Sequence, residues 1–184
     1  MIQVKGNATR GLIGATVGFF VGFAAVSLFG ATVGHLQRTV GLSAALGGLL
    51  ISIPSLTGSL LRIPFSARVD ADGGRQSFLI LLVASAVGLA GIWYLLTFHE
   101  AALVELFPLL LVFGALGGCG IATFSVGISQ TSYWFPQSSQ GGALGAYAGI
   151  GNVAPGLFAL LLGLLIPSLG LSGSYAIWFV FLVA

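Results

Sequence analysis

Ionisable side chains are scarce in this sequence. Asp, Glu, Lys and Arg together make up 5% of the 184 residues, whereas 57% are hydrophobic, and the mean hydropathy is +1.09. A soluble globular domain carries about 25% charged residues, which it needs to cover its surface with water-compatible groups. The composition therefore excludes an ordinary soluble domain and indicates a protein whose apolar exterior is solvated by a lipid bilayer.

Groups that support chemistry are also few. Cys119 is the single cysteine, so an internal disulfide is excluded, and its apolar, glycine-rich surroundings are typical of a small packing residue. No Cys/His cluster has metal-ligand spacing, and no nucleophile lies beside a base. We therefore predict that the chain is not an enzyme and has no metal, cofactor or nucleic-acid partner.

The apolar residues occur in continuous runs of roughly twenty, which is typical of membrane-spanning helices and not of alternating barrel strands. The first run is too long for the apolar core of a signal peptide, so we interpret it as a permanent span. The prediction is one all-α transmembrane domain, 1–184, with five complete spans and the beginning of a sixth, at about 11–34, 43–66, 77–97, 104–131, 142–165 and 174–184.

Basic residues predict the orientation, because Lys and Arg collect on the cytoplasmic side. The N-terminal tail has Lys5 and Arg10, the connection after the second span has Arg68 and Arg75, and the opposite side has only Arg38. The N-terminus is therefore predicted to be cytoplasmic. The last apolar segment is too short for a span, which we interpret as a truncated sixth helix or half of a larger protein; a re-entrant segment is the alternative.

Small residues recur at every fourth position in three spans, which puts each row on one helix face where another helix can approach closely. The rows are Gly14, Gly18 and Gly22; Gly114, Gly118 and Ala122; and Gly141, Gly145 and Gly149. Helix packing explains the first row, whereas the third favours a functional role.

Arg62 is the most informative residue, because it lies inside the second apolar run. Eight residues separate it from Asp70 at the predicted cytoplasmic edge, or about 12 Å of helix. No acid in the predicted spans can neutralise it, and a buried guanidinium presents two parallel N–H donors that suit a planar oxyanion such as nitrate, nitrite or a carboxylate. The alternative is that the side chain extends to the cytoplasmic interface.

Two further elements accompany Arg62. Asn152 is a polar residue about eleven positions into the fifth span, where its amide can donate to an anion or join two helices. The segment 66–75 is a short turn of interleaved acids and bases, interpreted either as a solvated loop or as a conformational latch that uses Asp70.

These elements, in this order, resemble the N-terminal half of the nitrate/nitrite porters of the major facilitator superfamily. The similarity runs from about Phe19 to Pro155. The matching segments are Leu61-Arg-Ile-Pro-Phe65, Asp70 with Gly73, Gly74 and Arg75, Ala122-Thr-Phe-Ser-Val-Gly-Ile128 with Ser132-Tyr-Trp-Phe-Pro136, and Gln140-Gly-Gly-Ala-Leu-Gly-Ala-Tyr-Ala-Gly-Ile-Gly-Asn152.

The resemblance implies a six-helix half of a transporter and a role for each matching residue. Arg62 and Asn152 would bind the anion, Phe23 would wall the site, and Gly145, Gly149 and Gly151 would keep the fifth helix slim as it slides. Ser66, Gln76 and Pro155 depart from the family pattern. The family works with two halves around a central site, so a C-terminal half with its own arginine is the expected partner.

Two alternatives remain open from the sequence. The chain could belong to a major facilitator transporter of another small organic anion, or it could be a non-transporting membrane fragment. The spans contain no carboxylate for proton symport, which favours nitrate/nitrite exchange.

Overall fold

The computed structural model describes residues 6–184, and these residues form helices without any strand. Lys5, which contributed to the predicted orientation, lies outside the described residues. The α-helices are α1 (Ala8–Phe23), α2 (Val33–Val40), α3 (Ala44–Asp72), α4 (Gly74–Phe98), α5 (Phe107–Gly118), α6 (Thr123–Trp134), α7 (Gln137–Gly151) and α8 (Val153–Val183), and 3-10 turns cover Ala24–Ser27, Glu100–Ala102 and Cys119–Ala122. The all-α prediction is confirmed.

Five segments are long and apolar enough to cross a membrane, namely Ala8–Ser27, Ala44–Asp72, Gly74–Phe98, Phe107–Trp134 and Gln137–Val183. The last of these is broken at Gly170, where φ is 69° and ψ is 177°. The Phe158 ring lies 5.1 Å from the rings of both Trp178 and Phe181, so α8 folds back on itself as an antiparallel hairpin. Residues 171–183 supply about 20 Å of helix, at 1.5 Å per residue.

The helix ends differ from the predicted spans. The first helical segment begins at Ala8, where the Asn7 side chain accepts a hydrogen bond from Arg10 N–H, and ends at Ser27. The second continues to Asp72 and stops at Gly73, which has a φ of 75° that favours glycine. Charged residues can prolong a helix beyond the hydrocarbon, because continued helical hydrogen bonding satisfies the backbone.

Glycines bring the helices together. A Cβ on Gly118 would lie 2.3 Å from Pro54 O, one on Gly88 would lie 2.2 Å from Gly117 N, and one on Gly22 would lie 2.6 Å from Gly120 O. These positions admit only hydrogen, so α5 and its following 3-10 turn pack backbone to backbone against three other helices.

The exterior is apolar, as expected for lipid contact. Ile63 and Leu164, for example, are 77% and 73% exposed. Inside, one buried cluster contains Ala15, Phe19, Val69, Phe78, Leu81, Cys119, Ala122, Val126 and Tyr147. Phe23, Leu61, Phe65 and Phe124 pack against this cluster, and it surrounds the level of α3 at which Arg62 lies.

Candidate functional site

Helix α3 runs parallel to α6 and to the 3-10 turn Cys119–Ala122 that precedes it, and contacts them at every fourth residue of α3. This series of contacts, called the helix ladder below, joins Gly58 to Ile121, Arg62 to Phe124, Ser66 to Ser129 and Asp70 to Tyr133. The spacing of four keeps the contacts on one face of each helix. Along α3, Arg62 therefore lies between the close contact of Gly58 with Ile121 and the hydrogen bond of Asp70 with Tyr133.

The Arg62 guanidinium lies over the Phe124 ring, with its Cζ 5.1 Å from the ring centroid. Its Nε is buried, and neither a hydrogen bond nor an ion pair to this side chain is found among residues 6–184. All four acidic residues are in this range, and Asp70 and Asp72 are engaged by Tyr133 and Arg68. Within residues 6–184, the group found beside this charge is therefore the Phe124 ring and not an acid.

Phe124 belongs to a cluster with three more aromatic rings, two of which contact it directly. Phe19 and Phe23 of α1 lie 5.2 Å and 6.1 Å from it, centroid to centroid, and Phe23 is stacked at 29°. Tyr147 of α7 stacks on Phe19 at 4.8 Å. Phe23, predicted from the sequence to wall the site, thus contacts the ring that supports Arg62.

From the sequence, no role was predicted for three residues near Arg62, namely Phe124, Tyr147 and Ser125. Aromatic residues are common in membrane helices, so the first two carried no distinguishing signal. Ser125 lies midway between Ile121 and Ser129, which places it at the level of Arg62. No hydrogen bond is found for its hydroxyl within residues 6–184, whereas neighbouring Thr123 and Ser129 have partners.

Asn152 ends α7 and is exposed. Its Nδ2 donates to Ala148 O of the same helix at 2.7 Å, so in the described region this donor serves α7 itself and joins no second helix. The side-chain oxygen is not engaged in that bond. Asn152 is connected to Arg62 indirectly, because the adjacent Gly151 packs on Phe19, which contacts Phe124.

The structure separates Gly151 from the glycine row of the fifth span. A Cβ on Gly151 would lie 1.8 Å from Phe19 Cδ1, so this glycine faces the interior. Gly141, Gly145 and Gly149 have nothing within 4 Å of an added Cβ. Among residues 6–184, nothing covers their face of α7.

The predicted turn 66–75 is wrong for most of its length, because residues 66–72 are helical and end α3; with α4 beginning at Gly74, the chain turns sharply at Gly73. Gly73 supplies the positive φ, and Gly74 is buried so closely against Gln130 that a Cβ would lie 1.9 Å from its Oε1. The Tyr133 hydroxyl donates to Asp70 Oδ1 at 2.8 Å. Arg75 is exposed. The turn is thereby attached to α6 at both Asp70 and Gly74.

The three departures from the family pattern have local explanations. Ser66 and Ser129 share a 2.6 Å hydrogen bond between α3 and α6, and Gln76 accepts one from Arg68 at 3.2 Å. Pro155 has no N–H for the carbonyl of Gly151, and the helix is interrupted at Asn152 in between.

An apolar cavity of about 140 Å³ lies between α1 and the α8 hairpin, away from Arg62. Phe20, Phe158, Trp178 and Phe181 are among its lining residues, and Ser174 is its one polar residue. It offers an anion no charge. Within residues 6–184, no group of three or more His, Cys, Asp or Glu side chains could hold a metal ion.

Comparison with known proteins supports this architecture. The sequence model of the Major Facilitator Superfamily matches residues 15–184. The chain is 31% identical to the probable nitrate/nitrite antiporter NarK1 of Thermus thermophilus, with 86% of the chain covered. It is 30% identical to the nitrate/nitrite transporter NarU of Salmonella typhimurium and 32% identical to the probable nitrate/nitrite transporter NarK2 of Mycobacterium tuberculosis, with 88% and 95% covered.

The chain spans only part of these relatives, namely 34% of NarK1, 34% of NarU and 42% of NarK2. The relatives are named as transporters, and their similarity confirms the resemblance to nitrate/nitrite porters predicted from the sequence. The matched family and the apolar helices together make this a multi-pass membrane protein. The chain belongs to the major facilitator superfamily.

Proposed function

We propose that this chain forms one half of a nitrate or nitrite transporter and that Arg62 holds the anion. The observation that supports this most is a guanidinium inside an apolar helix whose Nε is buried and has no hydrogen-bond partner within residues 6–184. A charge inside a membrane span without a counter-ion is costly, and an anion removes that cost. The similarity to proteins named nitrate/nitrite transporters favours these anions over others.

The guanidinium itself favours a planar ligand. The Phe124 ring beside it offers no hydrogen-bond acceptor in the plane of the guanidinium N–H groups, so those groups can still receive an anion. One edge of a guanidinium binds two oxygens of a planar oxyanion through parallel hydrogen bonds. Ser125 at the same level offers a further hydroxyl, and the exposed Asn152 adds a polar group on α7.

A second half is part of the proposal. Alternating access needs two halves that rock about a central site, and the matched relatives are more than twice as long as this chain. The open face of Gly141, Gly145 and Gly149 has no neighbour within 4 Å and would let a helix of the other half approach closely. The chain would lie in the plasma membrane with a cytoplasmic N-terminus, because Arg10, Arg68 and Arg75 share that side.

The test is anion binding to the purified chain in lipid nanodiscs. Nitrate and nitrite are titrated by calorimetry at constant ionic strength, with chloride and formate as competitors. We expect saturable binding that favours nitrate or nitrite over chloride. A preference for formate would instead support a transporter of small organic anions, and the absence of saturable binding would contradict an anion site within this half.

Asn152→Ala is expected to weaken nitrate binding by about fivefold to tenfold, the usual value of one hydrogen bond. Its effect on thermal unfolding of the chain should be small, because the amide bonds only to its own helix. Calorimetric affinity and the unfolding midpoint are measured on the same preparation. A lower midpoint with unchanged affinity would show that Asn152 stabilises the bundle and does not contact the anion.

A further inference from the structure

Tyr147 is a buried tyrosine of α7 whose hydroxyl reaches the backbone of another helix. Its hydroxyl oxygen lies 3.0 Å from Thr123 O and 2.9 Å from Phe124 O. A phenol has one hydrogen, so it serves these two carbonyls alternately or as a three-centre bond. Both carbonyls belong to the first turn of α6, directly after the 3-10 turn Cys119–Ala122.

The surroundings hold Tyr147 in this position. Its ring stacks on Phe19 with centroids 4.8 Å apart and an interplanar angle of 29°. On the α6 side, a Cβ on Gly127 would lie 2.2 Å from the hydroxyl oxygen, so only glycine leaves room for it. The hydroxyl is therefore placed by close packing on two sides as well as by its hydrogen bonds.

Phe124 connects this tyrosine to the arginine. Its carbonyl accepts from Tyr147, and its ring lies 5.1 Å beneath the Arg62 guanidinium. A displacement of the Phe124 main chain would move the ring and with it the surface on which the guanidinium rests. A single residue of α6 thus joins α7, which carries Asn152, to α3, which carries Arg62.

We propose that Tyr147 is a positioning residue of the anion site: its hydroxyl fixes the main chain of Phe124 and thereby sets the place of the Arg62 guanidinium relative to α7. This rests on the proposed function in so far as the anion binds at Arg62. The Tyr147 hydrogen bond can affect anion affinity even if it contributes little to stability, because recognition by a guanidinium depends on sub-ångström placement of its N–H groups.

The test compares Tyr147→Phe with Tyr175→Phe. Tyr175 is a matched control, because it is also fully buried and its hydroxyl bonds to Thr32 and to Leu28 O. Tyr175 and Leu28 belong to a second buried cluster that also contains Phe29 and Trp178. Three quantities are measured for each 184-residue variant in nanodiscs: nitrate affinity, the unfolding midpoint, and the resonance of the Arg62 Nε–H group. That resonance is identified by its loss in Arg62→Lys, and the Phe124 ring current makes it sensitive to the position of the ring.

Tyr147→Phe should weaken nitrate binding by about threefold to tenfold, the loss of one hydrogen bond, and shift the Arg62 Nε–H resonance. Gly127→Ala, which pushes the hydroxyl away from α6, should act in the same direction. Tyr175→Phe should change the unfolding midpoint while leaving affinity and resonance unchanged.

The proposal is overturned if Tyr147→Phe leaves the resonance as it is in the wild-type chain, or if Tyr175→Phe produces the same changes. The resonance does not depend on a ligand. If the wild-type chain fails to bind nitrate, a shift specific to Tyr147→Phe would still support the positioning role while the proposed transport function fails.

Discussion

Nitrate binding is expected to fall by at least about tenfold in Arg62→Lys and to disappear in Arg62→Ala. The lysine keeps the positive charge, but its ammonium is a point charge that cannot pair with two oxygens of a planar anion. It also replaces the delocalised guanidinium that lies over the Phe124 ring. The loss in Arg62→Lys therefore measures geometry, and the further loss in Arg62→Ala measures charge.

Arg68→Lys and Arg68→Ala are the matched controls. Arg68 lies on the same helix, but it is exposed and paired with Asp72 at 3.0 Å, so neither change should alter nitrate affinity. Isothermal titration of the four variants at one ionic strength gives the comparison. Equal affinity in the wild type and Arg62→Lys would contradict bidentate binding, and a loss in Arg68→Ala of the same size would point to a general effect of net charge.

Gly118→Ala is expected to destabilise the bundle by about 2 kcal/mol or more, within the usual range for overpacking. Its Cβ would lie 2.3 Å from Pro54 O and 2.4 Å from Pro54 Cα, and backbone atoms cannot rotate aside as a side chain can. To relieve this overlap, α3 and α5 would have to move apart at Pro54, which lies four residues before the contact of Gly58 with Ile121. Urea unfolding in detergent micelles, followed by tryptophan fluorescence, gives the free energy.

Gly142→Ala makes the same chemical change in α7, but it should raise the free energy of unfolding instead of lowering it. Nothing lies within 4 Å of its added Cβ, so the better helix propensity of alanine should stabilise the chain by up to about 1 kcal/mol. If both alanines lowered stability equally, a general effect of backbone composition would explain the data and close packing at Gly118 would not.

The fold was predictable from the sequence because the bilayer imposes one requirement on every span. Long apolar runs must be helical there, so the number and order of spans could be derived without a partner structure. The ends were less predictable. Residues 67–72 contain two acids and an arginine, which indicate that this segment lies in water. The helix nevertheless continues through it, because a helix does not have to end at the edge of the bilayer.

Residues of the candidate site could be proposed from the sequence only where they conflicted with their surroundings. Arg62 stood out because a charge in an apolar helix needs an explanation. Phe124 and Tyr147 conflicted with nothing, and their roles depend on the pairing of α3 with α6 and of α7 with α6, which no local pattern contains.

The spacing of glycines likewise does not predict which helix packs against them. Gly114 and Gly118 pack against Phe29 and Pro54, whereas Gly145 and Gly149, also four residues apart, have no neighbour within 4 Å. The repeat predicts a surface that a helix can approach. It does not say whether the approaching helix belongs to this part of the chain.

The helix ladder has a consequence for how the bundle responds to its surroundings. Its contacts differ in kind, running from van der Waals contact at Gly58, through a cation on an aromatic face at Arg62 and a neutral hydrogen bond at Ser66, to a charged hydrogen bond at Asp70. Salt screens exposed ion pairs and leaves buried apolar contact untouched. Salt would therefore first weaken the exposed Arg68–Asp72 pair at the C-terminal end of α3, whereas the contacts of Gly58 and Arg62 would stay in place.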